Sequence, residues 1–218
     1  MNAILNYILL FLIYSMFGWI IEIINTLIRE KKFVNRGFLM GPFIPIYGVG
    51  AMLATLLLSK YRDDLASLFF ISIVVFAVLE YIVSYFMEKI FKLRWWDYTY
   101  KKFNINGRVA LDNLIAFGIL GVIATKYLSP LLLNFISNMK FDLKLILFLI
   151  LSVSFLVDYI LSFIITFNLK TITKNLKKDS TEDIKKTIKK HVVTNSKLYN
   201  RILNAFPKIY KVKEPKKK

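Results

Sequence analysis

The residues with chemistry available are the acidic ones that lie inside apolar sequence. Glu22 stands in YSMFGWIIEIIN, Glu80 and Glu88 in LEYIVSYFMEKIF, and Asp158 between Ser154 and Ser162. A carboxylate in such surroundings must face protein or water rather than lipid, and it marks an ion path, a proton relay or a binding site. Glu80, Ser84 and Glu88 recur every four residues and share one helix face, as do Gly18, Glu22 and Asn25 at spacings of four and three. Glu80 lies near the middle of its apolar run. Glu88 lies near the end, where pairing with Lys89 or reaching for the interface is the simpler expectation. Asp158 is open to two readings: a hydrogen bond to serines of its own or a neighbouring helix, or a third carboxylate beside Glu22 and Glu80. The chemistry that fits this set is cation binding or proton transfer.

Other chemistries drop out on composition. The chain has no cysteine and one histidine, His191. Disulfides, thiolate metal sites, imidazole-based metal sites and Ser/His or Cys/His pairs are therefore excluded. No G-x-x-x-x-G-K-[ST] occurs, so the chain carries no nucleotide-binding P-loop of its own. No cofactor is expected, and the residues name no metal.

The elements that must position these groups are membrane spans. Of 218 residues, 56% are hydrophobic, and the mean hydropathy is +0.53. Soluble domains run at about 45–50% apolar. Five apolar stretches approach or exceed the roughly 20 residues that a crossing helix needs. They are Ile4–Ile28, Pro42–Ser59, Leu65–Phe91, Val109–Leu128 and Leu143–Phe167. The expected fold is all-α: a polytopic bundle of about five transmembrane helices over residues 1–169. A basic cytoplasmic tail over 170–218 would follow, part amphipathic helix and part disordered. The first run is read as a retained span, since no basic residue precedes it and it is too long for a signal core.

Lys and Arg set the orientation. Connections one and three and the tail hold 25 of them, and the opposite side holds five. The N-terminus is expected outside and the C-terminus in the cytoplasm. A net charge of +17, with 16 of 31 Lys and Arg from Lys170 onward, suits anionic inner-leaflet lipids. No nucleic-acid partner is expected, because no aromatic–basic reader motif accompanies the charge. Within the tail, Ser180-x-x-Asp183 would cap a helix carrying Ile184, Ile188 and Val192 on an apolar face.

Two connections are unusually shaped. RGFLMGPFIPIYGVGA opens span two with Pro42, Pro45, Gly41, Gly48 and Gly50. Either it is a helix start with small residues for close packing, or it is an interrupted segment at a binding site. Connection three holds Arg94, Trp95, Trp96, Asp97 and Tyr98, then turns at Asn106-Gly107. Its tryptophans and lysines suit an interfacial anchor. Asp97 and the Asn104–Arg108 turn suit a specifically built loop, with Arg108 reaching Asp112, Glu80 or Glu22. Gly118-x-x-Gly121 in span four suits close helix packing.

In chain order, Phe17-Gly18-Trp19 with Glu22, Arg36-Gly37-Phe38-Leu39, Gly41-Pro42, Pro45-Ile46-Tyr47-Gly48, Glu80, Trp96-Asp97-Tyr98 and Asn104-x-x-Gly107-Arg108-Val109-x-Leu111 form a set. Over roughly Leu10–Leu120 this set resembles the bacterial membrane proteins grouped as type IV ABC-transporter permeases. Thr99 departs mildly from the serine expected after Trp-Asp-Tyr, and Asp158 lies outside the resemblance. The resemblance implies a multi-pass cell-membrane protein and a transport component, with any ATPase subunit on a separate polypeptide. Its motifs bring Arg36, Tyr47, Trp96, Asp97, Tyr98, Asn104 and Arg108 into the candidate substrate- or ion-binding set, beside Glu22, Asn25, Glu80, Ser84, Glu88 and Asp158. The residues also leave open a membrane enzyme for lipid-linked or phosphorylated substrates, with Asp97, Glu88, Arg94 and Arg108 at the headgroup level, and a membrane scaffold or regulator that works through its tail.

Overall fold

Among the described residues, six α-helices follow one another up to residue 176: α1 (Asn2–Glu30), α2 (Pro45–Leu53), α3 (Leu65–Phe91), α4 (Leu111–Ile123), α5 (Ser129–Ser137) and α6 (Phe141–Leu176). The structure, a computed structural model, describes residues 2–92, 94–176 and 201, the side chains of 169–176 excepted. The tail helix expected from Ser180 lies outside the described residues.

Among the described residues, four rods are long and apolar enough to cross a bilayer: Asn2–Glu30, Leu65–Phe91, Leu111–Ser137 and Phe141–Asn168. The second apolar stretch is different. It begins as helix only at Pro45, which occupies the first turn where its missing N–H costs nothing. It continues through a π-turn (Ala54–Leu58) and a 3₁₀ turn (Ser59–Tyr61). At 1.5 Å per residue this rod is about 25 Å long, short of a roughly 30 Å hydrocarbon core. Of the two readings of span two, the helix start with close packing describes α2. The irregular chain is the segment in front of it, residues 31–44.

That segment is non-helical yet packed inside, with Leu39 and Phe43 fully buried. Buried irregular backbone survives only if its polar groups find partners. They do: Ile44 N donates to Ser15 O at 2.8 Å, and Asn35 Nδ2 donates to Met40 O at 2.9 Å. Met40 and Gly41 amides both donate to the Asp158 carboxylate at 2.9 Å.

Glycine lets the helices close into two pairs. A Cβ on Gly18 would sit 2.3 Å from the Tyr47 ring, and one on Gly48 would sit 2.4 Å from Ser15 Oγ, so α1 and α2 touch closely. A Cβ on Gly118 would strike the Phe69 ring, and one on Gly121 would strike Ser72, which seams α3 to α4. The Gly118-x-x-Gly121 expectation of close packing holds. Toward the far end of the bundle, Tyr14 Oη and Ser129 Oγ lie 2.8 Å apart, and the Thr55 hydroxyl donates to Ser129 at 3.0 Å.

Both ends of α3 are fixed by local chemistry, which is why its bounds coincide with the expected span. Asp64 accepts from the Ala66 and Ser67 amides at 3.1 Å, an N-cap. The Ser67 hydroxyl and amide hold the Asp64 carboxyl below the usual carboxylate range. Lys92 ends the helix in the left-handed region at φ 57°.

Candidate functional site

The site grows from two tyrosine–carboxylate hydrogen bonds. Glu22 projects from α1 toward the start of α2, where the Tyr47 hydroxyl donates to its Oε1 at 2.9 Å. The Tyr47 ring reaches that point only because Gly18, one turn before Glu22, presents no side chain beneath it. Glu80 projects from α3 and is 5% exposed. The Tyr98 hydroxyl donates to Glu80 Oε1 at 3.4 Å, a long bond. Asn113 at the start of α4 stands beside both Tyr98 and Glu80, while Glu80 Oε2 has no partner of ordinary geometry among the described residues.

These four groups are one cluster. The charges of Glu22 and Glu80 both reach the Tyr47 hydroxyl and both reach the Tyr98 hydroxyl. Burial first, then the Glu80 carboxylate and Glu22, push the Tyr98 phenol above its ordinary value, against a hydrogen bond from Asn113. Tyr98 is therefore a neutral donor across the physiological range. Two buried or half-buried carboxylates, each with a tyrosine hydroxyl, are chemistry that suits cation binding or proton transfer.

Tyr98 is brought there by a hairpin. Asn104–Ile105 (β1) pairs antiparallel with Val109–Ala110 (β2), in register Asn104 with Ala110. Asn106 (φ 51°) and Gly107 (φ 67°) occupy the two left-handed positions of a type I′ turn closed by Arg108 N to Ile105 O at 2.9 Å. Asn104 braces the turn by accepting from Gly107 N at 2.7 Å, and Tyr98 N donates to Gly107 O at 2.8 Å. Asn104 is thus a loop-building residue.

A second cluster, of charges, lies two turns further along α3, around Glu88. Arg108 Nη2 meets Glu88 Oε2 at 2.8 Å, and Arg94 Nε meets the same oxygen at 3.1 Å. Arg94 also meets Asp97 at 3.2 Å, and Arg108 donates to Ser84 Oγ at 3.2 Å. The Arg108 guanidinium lies 5.7 Å from the Tyr81 ring centre and 5.6 Å from that of Tyr85. This corrects two expectations. Glu88 pairs with two arginines far along the chain rather than with Lys89, whose ammonium lies over Tyr85 instead. Arg108 reaches Glu88 and Ser84, not Asp112, Glu80 or Glu22; Asp112 pairs with Lys101. Asp97 is partly buried, which raises a carboxyl, but the Thr99 amide and hydroxyl and the Arg94 charge overcome this and hold it below its usual range.

The tryptophans turn inward. Trp95 is buried against Phe38 and Phe91, with ring centroids 5.6 and 5.5 Å away, and Trp96 Nε1 donates to Arg108 O at 2.9 Å. Trp95 locks the loop to the bundle and Trp96 ties it to the hairpin, where a headgroup anchor was the simpler expectation.

Asp158 belongs to neither cluster. It binds the Met40 and Gly41 amides and the Ser162 hydroxyl at 3.2 Å, and so holds the irregular segment against α6. Beside it, Arg201 Nη1 donates to Leu39 O at 2.8 Å, a contact no sequence pattern announced. Arg36 pairs with Glu30 near the end of α1. Asn25 is half-buried and joins neither cluster. Asn113 was missed because an asparagine at a helix start reads as an ordinary first-turn residue. No curated protein and no solved structure matches the chain. The family described as Putative ABC-transporter type IV matches over residues 9–163, well over half of the length, and the chain belongs to that family.

Proposed function

We propose that the protein is the membrane-embedded component of a transporter, and that the Glu22–Tyr47–Tyr98–Glu80 cluster is its ligand or coupling-ion site in the inner half of the bilayer. One observation supports the reading: two carboxylates on separate apolar helices each accept a tyrosine hydroxyl, and the charge of each reaches the other's tyrosine. Carboxylates are costly in hydrocarbon, by about 2.5–3.5 kcal/mol at a helix centre, and are kept there where they work. The charge bias favours an outside N-terminus and a cytoplasmic tail on anionic lipids. With no P-loop in the chain, ATP hydrolysis would come from a separate subunit. The enzyme alternative is weakened because Asp97 and Glu88 are already neutralised by Arg94 and Arg108.

The test is Glu80→Gln in proteoliposomes containing pyranine, with a potassium–valinomycin potential as the driving force. Wild-type protein should carry protons or exchange them for an added cation. The variant should be inactive while eluting as the same folded species. Wild-type flux from the variant would remove the cluster from the mechanism.

A further inference from the structure

The two helix pairs repeat one another. Residues 10–36 aligned with 68–94 agree at nine of 27 positions: Leu10, Phe11, Ile13, Glu22, Ile24, Glu30, Lys31, Phe33 and Arg36 recur 58 residues later. Residues 37–59 aligned with 107–129 agree at six of 23: Gly37, Gly48, Ala54, Thr55, Leu58 and Ser59 recur 70 residues later. The offsets differ by the 12 residues 95–106, an insertion that holds Trp95 to Tyr98 and the first strand of the hairpin.

The structure repeats with the sequence. The Glu30–Arg36 and Glu88–Arg94 ion pairs occupy equivalent positions. Leu10 and Leu68 are both fully buried, and Thr26 and Ser84 are both buried hydroxyls. Phe11 fills the space that a side chain on Gly48 would need, and Phe69 does so for Gly118. The π-turns Ala54–Leu58 and Ala124–Leu128 fall at matching positions and both open with Ala-Thr. Lys31 and Lys92, three residues apart in the alignment, both leave the first helix in the left-handed region.

Each copy is a pair of antiparallel helices, so successive copies enter the bilayer from the same side. Such repeats are related by an axis along the membrane normal, and transporters place their sites between repeats. Glu22 and Glu80 are then equivalent residues at one depth. The seam between the copies passes beside them: Gly50 of α2 packs on Leu79, the neighbour of Glu80. Tyr47 of the first copy lies in the field of both carboxylates. The oxygen donors gathered there are carboxylate, phenol and amide groups, with no imidazole or thiol, and the Lys101 ammonium stands at the edge of the group, 3.5 Å from Asn113 Oδ1 and 4.9 Å from the Tyr98 ring centre. Glu80 is about nineteen-twentieths buried, and its Oε2 has no partner of ordinary geometry among the described residues, with the Asn113 amide beside it. Oxygen-only donor sets of this kind select hard cations.

We propose that α1–α4 are two copies of one unit, and that Glu22 and Glu80, one from each copy, jointly hold a single hard metal cation at the seam. This rests on the transport reading of the same cluster and adds the ligand class. The insertion breaks the symmetry and supplies Tyr98 as a donor to one of the two carboxylates.

The experiment uses the full chain in nanodiscs, titrated separately with NaCl, KCl, MgCl₂ and CaCl₂ at constant ionic strength, with unfolding temperature and calorimetry as readouts. One of these cations should bind wild-type protein, and both Glu22→Gln and Glu80→Gln should abolish the binding. Asp63→Asn, outside the cluster, should keep it. If either carboxylate variant does not fold, Tyr47→Phe and Tyr98→Phe replace them; loss of a supporting hydroxyl should weaken the same cation about tenfold. Binding by none of the four cations overturns the proposal, as does binding that depends on only one copy. Proton flux that needs Glu80 without any cation binding would overturn this inference and leave the transport reading standing.

Discussion

Glu80 and Glu88 lie two turns apart on one face of α3 and have opposite surroundings. Glu80 receives a tyrosine hydroxyl and stands beside an amide, while Glu88 is held between two guanidiniums. The difference sets different consequences for mutation. Arg108→Ala removes the closer partner of Glu88 and the donor to Ser84. Breaking a buried pair costs about 3–5 kcal/mol, but Glu88 is 37% exposed and keeps Arg94, so about 2 kcal/mol is expected. Arg108→Lys should recover only part of it, because one ammonium lacks the fork that reaches Glu88 and Ser84 together. Denaturation midpoints in a fixed detergent would measure both, and equal midpoints for wild type and Arg108→Ala would contradict the network. Asp97 adds a pH signature. Its folded-state value is depressed, so its contribution is present above about pH 4, the ordinary value of an aspartate, and is lost as pH falls through the lower folded value. Fluorescence of Trp95 and Trp96 should therefore hold steady through pH 4 and change only below it, and Asp97→Asn should lack that acid transition. At this scale the sequence spacing was informative about Glu80, whose apolar neighbours left it no simple escape. It misled on Glu88, because the competing partners at 94 and 108 come into range only through the hairpin.

The elements divide between those settled by local pattern and those settled by distant partners. Span three was legible to the residue because Asp64 and Ser67 cap one end and a left-handed Lys92 closes the other. The Asn106-Gly107 turn was legible because few other pairs accept two positive φ angles in succession. Residues 31–44 were not, since their path depends on Asp158, more than a hundred residues away. That dependence can be tested at the element itself. Asp158→Ala strands the Gly41 amide and leaves the Met40 amide only the Ser162 hydroxyl at 3.1 Å, at about 1–3 kcal/mol for the buried group left unsatisfied. Arg29 precedes the segment and Lys31, Lys32 and Arg36 lie in its first part, so limited trypsin digestion in detergent should cut there faster in the variant. An unchanged cleavage pattern would mean that Asp158 does not hold the segment. The glycine seams give a converse test, by overfilling. Gly18→Leu puts a side chain where the Tyr47 ring lies and should cost at least about 1–3 kcal/mol, while Gly50→Ala, with its nearest neighbour at 3.6 Å, should be nearly silent.

For the whole molecule, hydropathy and charge together carry most of what could be read without coordinates, and each fails in an identifiable way. Hydropathy counts α2 as a span like the others. The lead-in with Gly41 and Pro42 delays the helix until Pro45 and makes it a shorter rod, because proline lacks a backbone donor and glycine weakens a helix, neither of which the windowed average sees. Charge gives orientation by a bias of 25 to five, which is a statement about topology rather than about any contact. The absence of cysteine makes that statement directly testable, since any thiol is an introduced one. Asp63, in the short turn before α3, and Lys102, in the exposed part of the third connection, should lie on opposite sides of the membrane. With Asp63→Cys, a membrane-impermeant maleimide should label intact cells with the outer barrier opened and the inner membrane sealed. With Lys102→Cys, labelling should appear only after the inner membrane is permeabilised. The reverse pattern would invert the molecule and move the Glu22–Glu80 cluster from the inner to the outer half of the bilayer. The cluster would then load from the other side, and a positively charged tail on anionic inner lipids would no longer be part of its surroundings.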